Sequence, residues 1–521
     1  MVSQQSQVYK VLLIIIVIVI LIMGVTLFLI PPALFPDASK GFQVLRSMQL
    51  GSGFNNLVAP DQGDISKNYT QFFTWWSPGQ YLVPYFFKII SGVNLGKGIA
   101  ITVTIAELCG LAGFYSFFRK IGFTQNVSVI SLVFIICQCA FMVPHVYYNG
   151  GEILLFSFEG WFLYGCIAFK KPGLKLVLFV LLSGAIGFFF KSSFLWMYAA
   201  GTCCLWIRLS ENKGTFTFIK NALWCGLPAV VLLAVFYIFY ISKGETPATA
   251  ASGFKLTVAA LSYPLASPIL TAFSVDDFLN GLLVHTGKQL LSEQWSIIVL
   301  MFIALLSVLL MISVIRYEKN DTYRLVLIVF YVVAVLFFGF SYLRQMEISM
   351  ESRHFRIIGL LIAPGIIYLT AGFKPVYKFA FVVVLAAIGI NSFSYLIKGY
   401  QFNNSFAKGL TGVAQPNIDR ASLDHVIKLD NENKDATFVF VGDDIGLEIL
   451  HNRVISLSPI GDDLKIDIDE YKYTGHGGPL YIVLPESYNG PKEKMVLKSF
   501  PGYKGFYVSM LSDNYVLYAA K

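Results

Sequence analysis

The chain has 521 residues, with 39 Lys and Arg against 31 Asp and Glu for a formal net charge of +8; 13% of it is charged and 56% hydrophobic. Soluble proteins are about 25% charged and about 45–50% apolar, so an ordinary water-soluble enzyme is excluded. Residues 1–398 hold 27 basic and 15 acidic side chains while 399–521 hold 12 and 16, which separates a sparsely charged membrane body from a mildly acidic soluble tail. The excess of positive charge lies in the membrane part, where it marks cytoplasmic loops, and is not a nucleic-acid signal.

The first apolar run, Val11 to Ile30, is uncharged and about 20 residues long, enough for one crossing. It exceeds a signal-peptide core and has no small-residue cleavage site before Pro31-Pro32, so it reads as a retained helix. Further runs follow at 98–118, 126–143, 152–169, 174–190, 193–209, 221–242, 295–315, 323–342, 356–373 and 377–397. The fold class expected is a polytopic α-helical membrane protein of about 11 transmembrane helices, with the body at 1–398 and an extracytoplasmic α/β domain at 399–521.

Basic residues recur in alternate loops: Arg119-Lys120, Lys170-Lys171 with Lys175, Arg208/Lys213/Lys220, Arg316/Lys319/Arg324 and Lys374/Lys378. All five share one side if the N-terminus is cytoplasmic. Loops 31–97, 144–151, 191–192, 243–294 and 343–355 and the whole tail are then extracytoplasmic, as for a bacterial inner-membrane protein facing the periplasm or the outside. The seven cysteines lie in or at the edges of spans, which leaves no external disulfide framework. The six histidines, among them His285, show no metal-ligand spacing; no metal site or cofactor is predicted, and a divalent metal is left open. In the tail, Ala436–Val441 and Leu480–Leu484 read as buried strands, a short helical stretch runs to Leu450, and Gly505–Val508 with Tyr515–Tyr518 read as a hairpin. Gly442-Asp443-Asp444, Asp462-Asp463 and Asp467/Asp469 are carboxylates in turns, where capping and solvation compete with metal binding.

Loops 31–97 and 243–294 are long for a compact helical bundle, and such loops are usually functional. The first opens on Phe35-Pro-Asp37-Ala-Ser-Lys-Gly-Phe. An acid one turn beyond a membrane helix is placed to act as a general base, and equally to N-cap an amphipathic helix over 38–50. Thr74-Trp-Trp-Ser-Pro-Gly-Gln-Tyr follows and supplies Trp76 and Tyr81 as substrate-positioning candidates. The next external loop ends in Gly150-Gly-Glu152, again an acid at a helix start. Lys191 is a lone cation between apolar runs, expensive there unless it is paired, binds an anion or snorkels to the headgroups. Loop 243–294 carries Tyr263-Pro-Leu-Ala-Ser-Pro268 and Asp276-Asp277. The run Tyr342 to Arg356 places Arg344, Arg353, His354 and Arg356 on the external side, against the positive-inside tendency. Phosphate clamping competes there with pairing to Glu347 and Glu351 or contact with anionic headgroups. Glu107 and Glu159 lie inside spans with no role assigned.

In order, these segments resemble the lipid-dependent membrane glycosyltransferases of the GT-C class, and within it the branch of protein O-mannosyltransferases and aminoarabinose transferases. Phe35–Phe42 stands where that branch has its first-loop acidic motif and Ser77–Pro84 where it has a proline-rich stretch. Gly150–Phe156 matches the second-loop acid, Gly184–Lys191 the Gly-rich helix ending in Lys, and Ser352–Phe355 with Pro364 the Arg-Tyr motif with a downstream proline. Three departures stand out: the usual Asp-Glu pair is Asp37-Ala38, the second acid is Glu152, and Tyr is replaced by His354.

The resemblance implies transfer of a sugar, hexosyl or pentosyl, from a polyprenyl-phosphate donor to an extracytoplasmic lipid, glycan or protein. It implies Asp37 as base, Glu152 as the residue positioning acceptor or sugar, and Lys191, Arg344, Arg353, His354 and Arg356 on the donor phosphate. Trp76, Tyr81 and Tyr263 would position substrate, and residues 243–294 would be a mobile cover over the site, with a static interfacial element as the equal alternative. The competing readings are a transporter or lipid-linked sugar flippase, suggested by Glu107, Glu159 and Lys191, and a non-catalytic subunit of envelope polysaccharide assembly.

Overall fold

Each of the eleven apolar runs folds as helix, the one continuous structure that satisfies its own backbone groups in lipid. The computed structural model describes residues 2–211, 213–246, 251, 253–275, 292–462, 464 and 471–521. Among them, eight helices are long and apolar enough to cross a membrane, and nine if the bent pair Gln125–Ile136 and Cys139–Val146 counts as one span. The chain is thus a multi-pass helical membrane protein. Leu174–Phe190 and Phe194–Ser210 are helices at two more of the apolar runs, and their 17 residues each lie at the lower limit of a crossing.

The bend of 49° has a local cause. Gln138 turns its amide back onto Phe134 O (2.9 Å), and the Ser274 hydroxyl takes the Cys139 N–H (3.1 Å) while donating to Gln138 Oε1 (2.9 Å). A foreign hydroxyl inserted into the helix ladder is a recognised source of kinks.

Two compact units emerge. The helical unit is Met1–Gly24, Val103–Pro144 and Gly151–Ile397; the mixed unit is Val25–Thr102, His145–Gly150 and Lys398–Lys521. In the helical unit, part of the expected loop 243–294 is an apolar helix, Val258–Ala272. The Ser307 hydroxyl donates to Ala266 O and accepts from Ile269 N, and Tyr331 donates to Leu265 O at 2.8 Å. Pro264 and Pro268 and a length of only 15 residues hid this helix in the sequence. Over Val258–Ala272 the expected cover is thus a packed element of the helical unit. Asp276, Asp277 and His285 lie outside the described residues, as do Asp463, Asp467 and Asp469 of the tail.

The mixed unit is built on a five-stranded sheet ordered β10-β11-β9-β7-β8: β7 (Thr437–Val441), β8 (Arg453–Leu457), β9 (Leu480–Pro485), β10 (Tyr507–Met510) and β11 (Tyr515–Ala520). β7 runs parallel to β8 and β9, and all five of its residues are buried, as a central strand covered on both faces requires. Phe438 and Phe440 face the helix Arg420–Glu432 through Leu423 and Val426, while Val439 and Val441 join the opposite core with Val496 of helix Pro491–Lys498. The expected hairpin is β10–β11. Strand β8 and both helices were not anticipated.

The first external loop belongs to this unit. Ile65 is fully buried in the Val439/Ile482/Tyr518 core, its N–H bonds Thr474 O at 2.8 Å, and Arg453 donates to its carbonyl. The last segment of the mixed unit begins at Lys398, and a sequence split there cannot show that 31–97 folds with it.

Candidate functional site

Glu152 stands in the first turn of the helix Gly151–Ala168. Gly151 makes room for a close approach: a Cβ there would meet Phe190 O at 2.9 Å and the Lys191 side chain at 3.0 Å. The end of helix Leu174–Phe190 therefore abuts the start of Gly151–Ala168, and Lys191, at its C-cap in an extended conformation, pairs through Nζ with Glu152 Oε1. Arg353, in the 3-10 turn Ser352–Phe355, reaches the same oxygen through Nη1 at 3.3 Å and pairs through Nε with Glu351. The side chains are 6% exposed for Glu152, 15% for Lys191 and 20% for Arg353, so this ion triple is largely withdrawn from solvent. Pairing of that quality is what makes charges tolerable at a helix end in apolar surroundings.

Two more residues border the triple. His354 shares a hydrogen bond with Ser349 Oγ through Nε2 (3.3 Å) and lies against Phe338; its buried Nδ1 has no hydrogen-bond partner among the described residues. Arg356 opens helix Arg356–Ala371, within electrostatic range of Glu152 and Glu159, and its buried Nε also has no hydrogen-bond partner among the described residues. A cavity of about 30 Å³ beside it, lined by Gln138, Phe141, Ile153, Phe156 and Leu360, is too small for a sugar or phosphate. Arg344 is exposed at the C-cap of helix Asp321–Leu343, and its guanidinium pairs with none of these groups among the described residues. Tyr263 is fully buried between Tyr342 and Phe355, so any part it has in positioning is indirect, through the Phe355 that follows His354.

The remaining sequence candidates lie in the mixed unit. Asp37 is half-buried in helix Pro36–Gln49. It is not the N-cap: Phe35 holds that position and Pro36 is the first helical residue, so Asp37 sits inside the first turn, where its charge complements the helix dipole. β1 (Ala33–Leu34) pairs in parallel with β4 (Tyr147–Tyr148), and Phe35 N–H bonds Tyr148 O at 3.1 Å, which fixes the entry to that helix. Trp76 is half-buried against Phe73 and Trp75. Tyr81 is fully buried, with its hydroxyl donating to Asn55 Oδ1 at 2.5 Å, and so presents no surface to a substrate. Among the described residues no group of three His, Cys, Asp or Glu is arranged to hold a metal ion.

No family model and no curated protein matches the sequence. Solved structures do. The chain is similar to ArnT from Cupriavidus metallidurans bound to undecaprenyl phosphate, with a TM-score of 0.50 at 12% identity over 98% of each chain. The apo form of that protein matches with a TM-score of 0.50 at 13% identity, over 99% of this chain and 98% of the other. The chain has the GT-C fold. The arabinofuranosyltransferase AftD from Mycobacteria matches more weakly, with a TM-score of 0.45 at 13% identity over 96% of this chain and 39% of that one.

Within this GT-C fold, the sequence reading did not assign Glu159. It stands seven residues after Glu152, so the two acids share one helix face. It is 3% exposed, and its Oε2 has no hydrogen-bond partner among the described residues. The i, i+7 spacing was the available signal.

Proposed function

We propose that the chain is a membrane glycosyltransferase that takes a sugar from a polyprenyl-phosphate donor and delivers it to an extracytoplasmic lipid, glycan or protein. The observation that carries the proposal is the convergence of Lys191 and Arg353 on one Glu152 oxygen, with Arg356 and His354 alongside. In the reaction the bond between the sugar's anomeric carbon and the phosphate oxygen breaks, and one to the acceptor oxygen or nitrogen forms. The phosphate leaves with the electron pair. It is already a weak base, so the site needs cations to meet the developing charge more than it needs a general acid.

Lys191 and Arg353 supply those cations in this reading. Glu152, engaged by both, holds them in register until phosphate arrives; this replaces direct contact with sugar or acceptor as its role. His354 Nδ1 and Arg356 Nε are further groups able to turn to the phosphate. On the acceptor side, Asp37 takes the proton of the attacking nucleophile, a role supported by its place in the first-loop motif and in the first turn of its helix. The likeness to a fold-mate solved with undecaprenyl phosphate supports the donor class.

The test is to reconstitute the full chain in proteoliposomes with undecaprenyl-phosphate pentoses and hexoses carrying a labelled sugar. Covalent transfer to an endogenous acceptor is expected. Passage of the labelled lipid across the bilayer without any transfer would replace the enzyme reading with that of a flippase.

A further inference from the structure

Three side chains at three-residue spacing lock the Asp37 helix to the tail domain. Lys40 pairs with Asp443 at 3.4 Å; Gln43 donates both to Asp443 O (2.7 Å) and to Ser456 Oγ (2.9 Å). Arg46 donates to Ile449 O and Asn452 O, each at 2.6 Å. Residues 40, 43 and 46 form one i±3n ridge of helix Pro36–Gln49, and the next position on that ridge towards the N-terminus is Asp37. Their partners span both ends of the parallel strands: Gly442-Asp443 follows the carboxyl end of β7, Ser456 lies near the carboxyl end of β8, and 449–452 leads into the amino end of β8.

That turn is held from its other side as well. The Asp430 carboxylate accepts the N–H groups of Leu450 (2.7 Å) and His451 (3.2 Å) and the Asn452 amide (2.8 Å), and Asn452 Oδ1 takes the Ala436 N–H at 2.9 Å. Arg46 thus bonds to a platform that is itself fixed to the sheet. On the opposite side of the helix, Phe42 meets Tyr148, and a Cβ at Gly41 would already approach Gln80 and Tyr81 at 3.1 Å. The helix is thus held from two sides, and the acid at its start with it.

We infer that the C-terminal domain is a positioning device for the acceptor-side carboxylate, with Arg46 and Gln43 as the positioning residues that transmit it. The inference rests on the reading of Asp37 as base. It gives the tail a role in the reaction without any contact with substrate: it fixes the orientation of Asp37, a property on which proton abstraction depends steeply.

Arg46→Met and Gln43→Met remove the polar anchors while keeping the side-chain length; Arg46→Lys keeps the charge. The assay uses the full chain in proteoliposomes with whichever undecaprenyl-phosphate sugar the wild type turns over. Arg46→Met is expected to lower kcat at least tenfold with the donor KM within twofold, and to raise amide hydrogen exchange over 36–49 but not in β7 or β9. Arg46→Lys should recover most of the loss. Asp37→Asn, run in parallel, should abolish transfer. Should Arg46→Met fail to fold, Gln43→Met is read in the same way, with a smaller expected loss of about threefold to tenfold. A folded anchor variant with faster exchange over 36–49 and wild-type kcat would overturn the positioning role while leaving the base assignment intact. Wild-type transfer by Asp37→Asn would overturn both.

Discussion

Arg46 in the mixed unit and Arg353 and Arg356 in the helical unit are all partly enclosed cations, and their surroundings differ in kind. Arg46 ends on two backbone carbonyls, those of Ile449 and Asn452, with Asp430 behind them. Burial pushes its guanidinium down to about 10, against the opposing charge of Asp430, so it stays charged at neutral pH. Arg353 shares a single carboxylate oxygen with Lys191, and Arg356 keeps a buried Nε with no hydrogen bond among the described residues. Backbone partners make a charge part of the scaffold. Shared carboxylate partners leave it exchangeable, because an incoming phosphate can compete for the same donors.

The largest effect is expected from removing the hub. Glu152→Ala leaves Lys191 and Arg353 without their common anion, and breaking a buried pair costs about 3–5 kcal/mol. Thermal unfolding of the purified protein should show this loss in the helical unit. If Glu152→Ala unfolds as the wild type does, the triple is a surface-like pair and the contrast with Arg46 collapses.

In the mixed unit, Asp430→Ala strips the acceptor from the 449–452 turn. Loss of hydrogen bonds to a charged group predicts about 1.5–3 kcal/mol, read as an earlier unfolding of the sheet by hydrogen exchange. A change confined to activity, with no loss of protection in β7 and β8, would contradict a scaffold role.

Two carboxylates sharpen the comparison through pH. Burial raises the Glu448 carboxyl above the ordinary glutamate range despite hydrogen bonds from Thr411 and Gln415. Its folded value exceeds its unfolded value, so the mixed unit loses stability as pH rises from the ordinary range through the raised one. Glu448→Gln should therefore stabilise the protein at pH 8 and have little effect at pH 4. Asp419 behaves oppositely. Partial burial is outweighed by hydrogen bonds from Ser512 and Ser422, and its carboxyl is held below the ordinary aspartate range. Its contribution is present above that range and is lost as pH falls through the lowered value. As N-cap of helix Arg420–Glu432 it predicts a loss of about 1 kcal/mol for Asp419→Ala at pH 7, fading in acid.

The sequence made much of the helical unit legible, because apolar length and charge-free runs report directly on helices in lipid. It also singled out Glu152, Lys191 and Arg353, since charges at helix ends in an apolar body are few and costly. Helix Val258–Ala272 escaped because its prolines and short length resemble a loop. The union of residues 31–97 with the tail escaped for a different reason. Ile65 joining a core built from residues past 439 is a contact across almost 400 positions, and no local pattern encodes it. The alternative of Asp37 as N-cap fell to a two-residue shift: Pro36 starts the helix earlier than the 38–50 amphipathic pattern suggests.

The proposed seat of a lipid-linked phosphate is the pair Lys191 and Arg353. It is tested most directly by donor saturation in proteoliposomes containing labelled undecaprenyl-phosphate sugar, comparing wild type with Lys191→Ala. Covalent sugar transfer by the wild type is expected, with at least a tenfold rise in the donor concentration that the variant needs. A Lys191→Ala protein that transfers sugar at wild-type donor concentrations would contradict it.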